Sequence, residues 1–337
     1  MSGKYVILLD PSLIDNNGTP STNIGDLIIY DAVSKIIESL FPGLEIIRIS
    51  THQFPKQKHI DLIRNASYTI IGGTNLLSSH IRQYNQWKTY TSFMDYLFPK
   101  INNIILLGVG WWQYQGKPDF VSKRFYRKVL HDSFIHSVRD SYTLNKLKLT
   151  GMDNCINTSC PTLWGLDGKN INHKNLGINN CLFTLTDYYP NIEFDNNMIE
   201  LILDNFTGEI FFFPQGTEDV AYINSLAQYQ KNAGRITILQ RDLQTFHDVL
   251  KHDICYVGTR LHAGIKCIEN SVESLILSVD NRAAEIAADV NLPVAERSDI
   301  NKISDWMCGK VDFENINLPI ENINKWKSQF EKSYETS

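Results

Sequence analysis

Apolar and polar positions along this chain follow two alternating patterns. Short apolar runs of four to six residues recur at Tyr5–Leu9, Leu44–Ile49, Tyr68–Ile71, Ile104–Leu107 and Ile135–Val138. They recur again at Cys181–Leu185, Glu209–Phe213, Ile236–Leu239, Ile254–Val257 and Leu275–Val279. Ile, Val, Phe and Tyr dominate these runs, and Gly, Pro, Asp or Asn bound them. Continuous hydrophobicity over so short a span predicts strands buried on both faces, as in a parallel sheet. Longer amphipathic stretches lie between the runs. One carries Leu27, Tyr30, Val33, Ile36, Ile37 and Leu40 at helical spacing. Strand and helix in alternation predict the α/β class.

The series stops and restarts. Gly165–Lys174 is polar and aperiodic, which predicts a linker. The economical architecture is a pair of doubly wound Rossmann-like domains, residues 1–168 and 175–315, facing one another across a cleft. A length of 337 residues suits two domains. A terminal helix is expected over residues 319–334, where Ile320, Ile323, Trp326, Lys327 and Phe330 share a face. It could pack back on the first domain. Trp326 and the neighbouring basic residues also leave a peripheral membrane contact open.

Composition narrows the classes of function. A chain that is 43% hydrophobic and 20% charged is a folded globular protein. Its 32 basic and 37 acidic residues give a formal net charge of −5, a poor footprint for a nucleic-acid binder. The apolar start at Tyr5–Leu9 is too short for a signal-peptide core, and no run is long enough for a membrane span, so a cytoplasmic protein is expected. Cys155, Cys160, Cys181, Cys255, Cys267 and Cys308 form no Cys-x-x-Cys pair; they read as buried free thiols, and a metal site is not expected.

In parallel sheets, ligands gather beyond the carboxyl ends of the strands. The strongest segment there is Gly258-Thr259-Arg260-Leu261-His262-Ala263. Glycine permits a sharp turn into a helix, Arg260 supplies a fork for a carboxylate or phosphate, and His262 can exchange a proton near neutrality. The bland alternative is a surface ion pair and a satisfied histidine. Arg282 and Glu285 follow the run Leu275–Val279, either as an anion ligand and its neighbour or as an ion pair three residues apart. Asn23, Gly25 and Asp26 precede the first helix. There Asp26 either caps the helix or acts as a catalytic residue that orients or deprotonates an acceptor hydroxyl.

In the first half, Asn75, Trp87, Lys88, Trp111 and Trp112 offer stacking faces and polar groups for a sugar, or else pack internally. Arg139 starts a helix after Ile135–Val138 and either completes an anion site or pairs with Asp140. Gln215 and Asp219 follow Glu209–Phe213 as further contacts, while His136 reads as a core histidine. A dinucleotide reading fails, because Gly108 and Gly110 are followed by Gln113 rather than a third glycine.

Gly258-Thr259-Arg260-Leu261-His262-Ala263, with Ser278-Val279-Asp280-Asn281-Arg282-Ala283-Ala284-Glu285-Ile286, resembles the polysaccharide pyruvyl transferase family. So do Asn23-Ile24-Gly25-Asp26 and Ser137-Val138-Arg139-Asp140. The resemblance implies a GT-B-like fold and transfer of pyruvate from phosphoenolpyruvate onto a sugar as a ketal. Arg260 would clamp the donor and His262 would act as general acid. Read from their own positions at strand ends, Gly258, Thr259, Leu261, Arg282, Glu285, Arg139 and Gln215 are candidates for the remaining donor contacts. It implies a saccharide or lipid-linked oligosaccharide acceptor in cell-surface polysaccharide synthesis, and no cofactor beyond phosphoenolpyruvate as co-substrate. The rival is a GT-B glycosyltransferase using a nucleotide-activated sugar. Asp-x-Asp is absent from the chain, which counts against a metal-dependent GT-A enzyme.

Overall fold

The computed structural model describes residues 5–15, 17–84, 86–88, 93–171 and 178–331. These divide into two compact units. The first comprises the chain up to Ser21, Ile29–Trp164 and the stretch from Leu318 onward; the second comprises Thr22–Ile28 and Gly165–Asn317.

The first unit contains strands β1 (Tyr5–Asp10), β2 (Glu45–Ser50), β3 (Tyr68–Gly72), β4 (Asn75–Leu77), β5 (Ile104–Leu107), β6 (Gly110–Trp111), β7 (His136–Val138) and β8 (Cys155–Asn157). Its main sheet is parallel, in the order β2-β1-β3-β5. The pairs β4-β6 and β7-β8 are also parallel. Burial on both faces explains the continuous apolar runs. Ile7 and Leu9 enter one core cluster with Ile71 and Leu106, while Val6 and Leu8 enter another with Ile70 and Leu107.

The helix Ile320–Glu331 returns to this unit and packs on the second of those faces. Trp326 and Phe330 are buried there, and the Phe330 ring lies 5.3 Å from that of Phe41. Gln329 fixes its register through both backbone groups of Ile135, at 2.7 and 3.1 Å. Because Trp326 is fully buried in protein, it is not a bilayer anchor. No helix among the described residues is long and apolar enough to cross a membrane.

The second unit holds β9 (Asn180–Thr184), β10 (Ile210–Phe212), β11 (Ile236–Ile238), β12 (Ile254–Gly258), β13 (Ser274–Ser278) and β14 (Val294–Glu296). All pair in parallel in the order β11-β10-β9-β12-β13-β14. Counted from β9, that is the doubly wound order 3-2-1-4-5-6, whose switch point lies between β9 and β12. Each of the ten apolar runs forms a strand, displaced by a residue or two at the ends. The short strands β4, β6, β8 and β14 are additional. Five of the six cysteines are buried free thiols, whereas Cys308 is exposed at the end of the helix Ile300–Met307, against expectation.

One boundary differs in a way that bears on function. Residues 22–28, expected in the first domain, belong to the second unit. The Ile24 backbone N–H donates to the Gln215 carbonyl at 3.3 Å, and a Cβ on Gly25 would overlap the Gln215 side chain.

Candidate active site

The switch point of the second unit is built from two strand ends. β9 runs out into Leu185-Thr186-Asp187-Tyr188, and β12 into Thr259-Arg260 before the helix Leu261–Glu269. Gly258 pairs with Thr184 across the two strands, and a Cβ there would collide with Thr184 backbone and hydroxyl. The glycine is thus required by close strand contact; its φ is not in the left-handed region.

Three threonines and a tyrosine then set the Arg260 backbone. Its N–H donates to Thr184 Oγ1 at 3.2 Å, and its carbonyl accepts from Tyr256 OH at 3.0 Å. Thr259 and Thr186 hydroxyls meet at 2.8 Å. Burial pushes the Tyr256 phenol far above its ordinary range, so it remains a neutral donor.

Arg260 is only 5% exposed, and two nitrogens of its fork are already engaged. Nε donates to the Leu185 carbonyl at 3.1 Å, while Nη2 serves Asp187 Oδ1 at 2.8 Å and Asp219 Oδ1 in close contact. Burial opposes the charge, but Asp219, Tyr188 and Asp187 outweigh it and hold the guanidinium pKa above its usual value. Asp219 is fully buried. Its Oδ2 accepts the N–H groups of Gln215 and Gly216 at 2.8 and 2.7 Å, and its Oδ1 that of Asp187 at 3.2 Å. At the anion clamp expected at Arg260, Nη2 is therefore occupied by internal carboxylates in this structure.

Arg282 stands in the first turn of the helix Asn281–Val290, capped by Asp280. It pairs with Asp280 at 2.6 Å rather than with Glu285. Its Nη2 also donates to Tyr188 OH. The Tyr188 ring centroid lies 5.0 Å from the Arg260 guanidinium carbon and 5.7 Å from that of Arg282. One half-exposed tyrosine thus joins both arginines, and their separation cannot exceed the sum of those distances. Both partners raise the Arg282 pKa in spite of burial, which acts the other way. His262 and Leu261 are buried in the first turn of the helix that follows Arg260. Glu285 is half-buried one turn after Arg282.

Gln215 is 4% exposed, and its Oε1 is buried with no hydrogen-bond partner among the described residues. Asn23 Oδ1 accepts from the Gly25 N–H at 3.0 Å, and its Nδ2 donates to Asp26 Oδ2 at 3.0 Å. Asn23, not Asp26, therefore performs the capping, and Asp26 lies within the first turn. These three residues sit in the unit expected to hold the donor, not in the first.

In the first unit, Arg139 is 1% exposed between β7 and the helix Ser141–Lys148. Its Nε donates to Asp140 at 3.2 Å, but Nη1 and Nη2 are buried with no hydrogen-bond partner among the described residues. The guanidinium lies so close to Gly110 that any side chain there would overlap it.

Trp87 and Trp111 are fully buried in the core cluster with Phe125 and Tyr126, which removes both as sugar-stacking surfaces. Trp112 instead stacks on Tyr84 at 4.7 Å and is half-buried. Lys88 is held by its backbone to Thr51 at 2.8 Å, with Nζ 5.7 Å from the Phe54 ring. Asn75 pairs with Gly110 in the β4-β6 ladder. His136 is a core histidine. Burial drives its pKa down to about 4, with its ring bonded to Leu106 N and His131 O. Asp187 and Tyr188 were not signalled by any motif; their only sequence mark is a place directly after an apolar run.

Two parallel doubly wound units, the second with its charged cluster at the switch point, define a GT-B-like α/β protein. The likeness extends over 99% of both chains to UDP-GlcNAc 2-epimerase of Methanocaldococcus jannaschii, solved with UDP-GlcNAc and UDP, at 12% identity and a TM-score of 0.54. It covers 98% of this chain and 96% of UDP-N-acetylglucosamine 2-epimerase from Rickettsia bellii, at 11% identity and the same TM-score of 0.54. At such identities the likeness shows the fold alone. No curated protein matches the chain. The chain belongs to the polysaccharide pyruvyl transferase family, whose model matches residues 23–281.

Proposed function

We propose that this protein transfers pyruvate from phosphoenolpyruvate to a sugar of a cell-surface polysaccharide or its lipid-linked precursor, forming a ketal. The observation that carries the reading is the family match, which takes in Asn23, Asp26, Arg139, Gln215, Arg260 and His262 in one span, residues 23–281. In the proposed reaction His262 delivers a proton to the methylene carbon of the donor, and an acceptor hydroxyl adds to the adjacent carbon. A second hydroxyl then displaces phosphate by breaking its bond to that carbon. Of the two hydroxyl protons released, one restores His262 and the other leaves with phosphate. Positioned acid catalysis of this kind contributes about 10²–10⁴-fold.

Arg260 and Arg282 supply positive charge for the donor's anionic groups in the second unit. In the first unit, Arg139 Nη1 and Nη2, which have no hydrogen-bond partner among the described residues, are assigned to an oxyanion as a fork. Glu285 and Gln215 are assigned to the donor, and Asn23, Gly25 and Asp26 to orientation of the acceptor hydroxyl. No further cofactor enters the reaction.

The test is a thermal-shift comparison of phosphoenolpyruvate with UDP-, GDP- and CMP-sugars, followed by assay of phosphate release with candidate glycans. Stabilisation by phosphoenolpyruvate and release of phosphate are expected. The His262→Ala protein should turn over at least a hundredfold more slowly with an unchanged melting point. Stabilisation by a nucleotide-sugar alone would replace this reading with glycosyl transfer.

A further inference from the structure

The two carboxylates on Arg260 are not equivalent. Asp219 is locked by three backbone N–H groups as well as by the guanidinium. Among the described residues the Asp187 carboxylate accepts only from Arg260, and its side chain keeps 21% of its surface exposed. Two carboxylates around one guanidinium make a cluster of net negative charge, which opposes the entry of an anion. An anionic ligand can therefore take Nη2 of Arg260 only if one carboxylate withdraws or is neutralised, and Asp187 is the one with little to lose. Burial, and then Asp219, already push the Asp187 carboxyl above its ordinary range. The groups bearing charge against it are Arg260 from the β12 end and Asp219 from the helix Asp219–Asn224, with Tyr188 beside it on its own loop.

The surrounding bonds confine any movement to this short stretch. Upstream, Thr186 is tied to Thr259. Downstream, Arg297 Nη1 holds the Tyr189 carbonyl at 2.6 Å, and Tyr222 OH receives the Asn191 N–H at 2.9 Å. Arg297 is itself set by Asp195 on the helix Ile192–Asn205. Between these anchors lie Tyr188 and the Asp187 side chain, the Asp187 N–H being itself held by Asp219 Oδ1 at 3.2 Å. Tyr188 contacts both arginines, so displacement of Asp187 is transmitted to Arg282 through the neighbouring residue.

We infer that Asp187 is an internal stand-in for the donor's anionic group: it occupies Arg260 when no ligand is bound and yields that position to a carboxylate or phosphate. This makes it a specificity-determining residue, since a neutral hydroxyl cannot compete for the guanidinium while an oxyanion can. The inference rests on the proposed donor site at Arg260.

The experiment measures binding of inorganic phosphate and of phosphoenolpyruvate by calorimetry to the wild-type, Asp187→Asn and Asp187→Ala proteins. Removing the competing charge of a partly exposed pair should tighten binding about fivefold. A structural role for Asp187 would weaken it instead. Unchanged or weaker phosphate binding by both variants, with melting points at the wild-type value, overturns the inference. The alanine variant covers the case in which asparagine keeps the bond to Arg260. If the variants gain phosphate affinity while no form binds phosphoenolpyruvate, the stand-in role holds and the donor reading falls. If the wild type binds phosphoenolpyruvate and neither variant binds it or phosphate more tightly, the donor reading holds and the stand-in role falls.

Discussion

Replacing Asp219 with alanine tests whether the switch point is held together by this one carboxylate. The side chain is fully buried, and its two oxygens accept three backbone N–H groups and the Arg260 guanidinium. Removing one partner of a buried ion pair costs about 3–5 kcal/mol. Arg260 retains Asp187, which places the ionic part at the lower end of that range. Each backbone donor left unsatisfied adds about 1–3 kcal/mol, less where water enters the vacated space. With water in the vacated space taking over most of the three donors, these together add about 1 kcal/mol, and a total near 4 kcal/mol is expected, against a typical native stability of about 5–15 kcal/mol. With a urea slope of about 2 kcal/mol/M, the unfolding midpoint should fall by about 2 M. Asp219→Asn keeps one accepting oxygen and should lose roughly half as much. The assay is a urea titration followed by circular dichroism, with Asp248→Ala as control, because that carboxylate is 52% exposed and pairs only at the surface. A midpoint for Asp219→Ala equal to the control would refute the reasoning, since it would mean that neither the ion pair nor the three N–H bonds stabilise the unit.

Two further predictions concern pH. His136 has a pKa of about 4 in the fold against an ordinary 6.5, because burial disfavours the charged ring. The unfolded chain therefore takes up a proton that the native state refuses, and roughly 3 kcal/mol of stability should disappear as pH falls from 6.5 towards 4. His136→Gln should flatten that part of the stability curve in urea titrations, and an unchanged slope would count against it. Glu273 behaves in the opposite sense: burial, then Asp312, push its carboxyl up to about 7, and its Oε2 is buried with no hydrogen-bond partner among the described residues. Its contribution is present at acid pH and is lost as pH rises through 7, so Glu273→Gln should melt above the wild type, by a margin that widens from pH 5 to pH 8. A margin independent of pH would remove Glu273 as the cause.

Hydrophobic patterning revealed most of the fold because these strands are covered on both sides. Val6 and Leu8 serve one core and Ile7 and Leu9 another, so no polar position interrupts the run. The short strands β4 and β6 were invisible for the converse reason. Gly110–Trp111 is a strand only by its pairing with Asn75–Leu77, and two residues carry no period. Adjacent tryptophans misled for a related reason. Neighbours on a strand face opposite ways, so Trp111 enters the core while Trp112 stacks on Tyr84. At the site, Arg260 and His262 were legible through their local glycine-flanked turn. Asp187 was not, because the residue that gives it meaning lies 73 positions away and no local pattern marks such a meeting. The same holds for residues 22–28, whose attachment to Gln215 is a tertiary fact.

The return of the helix Ile320–Glu331 to the first unit has a consequence for how the chain is made. Trp326 and Phe330 share a core with Val6, Ile37 and Phe41, so one apolar face of the first sheet, covered in part by the helix Ile24–Leu40, receives the rest of its cover only once residues 320–331 have been made. The first unit is therefore completed only after residues 165–317 of the second have been synthesised. A nascent chain released before residue 320 would leave Val6, Ile37 and Phe41 without that part of their cover, open to chaperones and to other copies of itself.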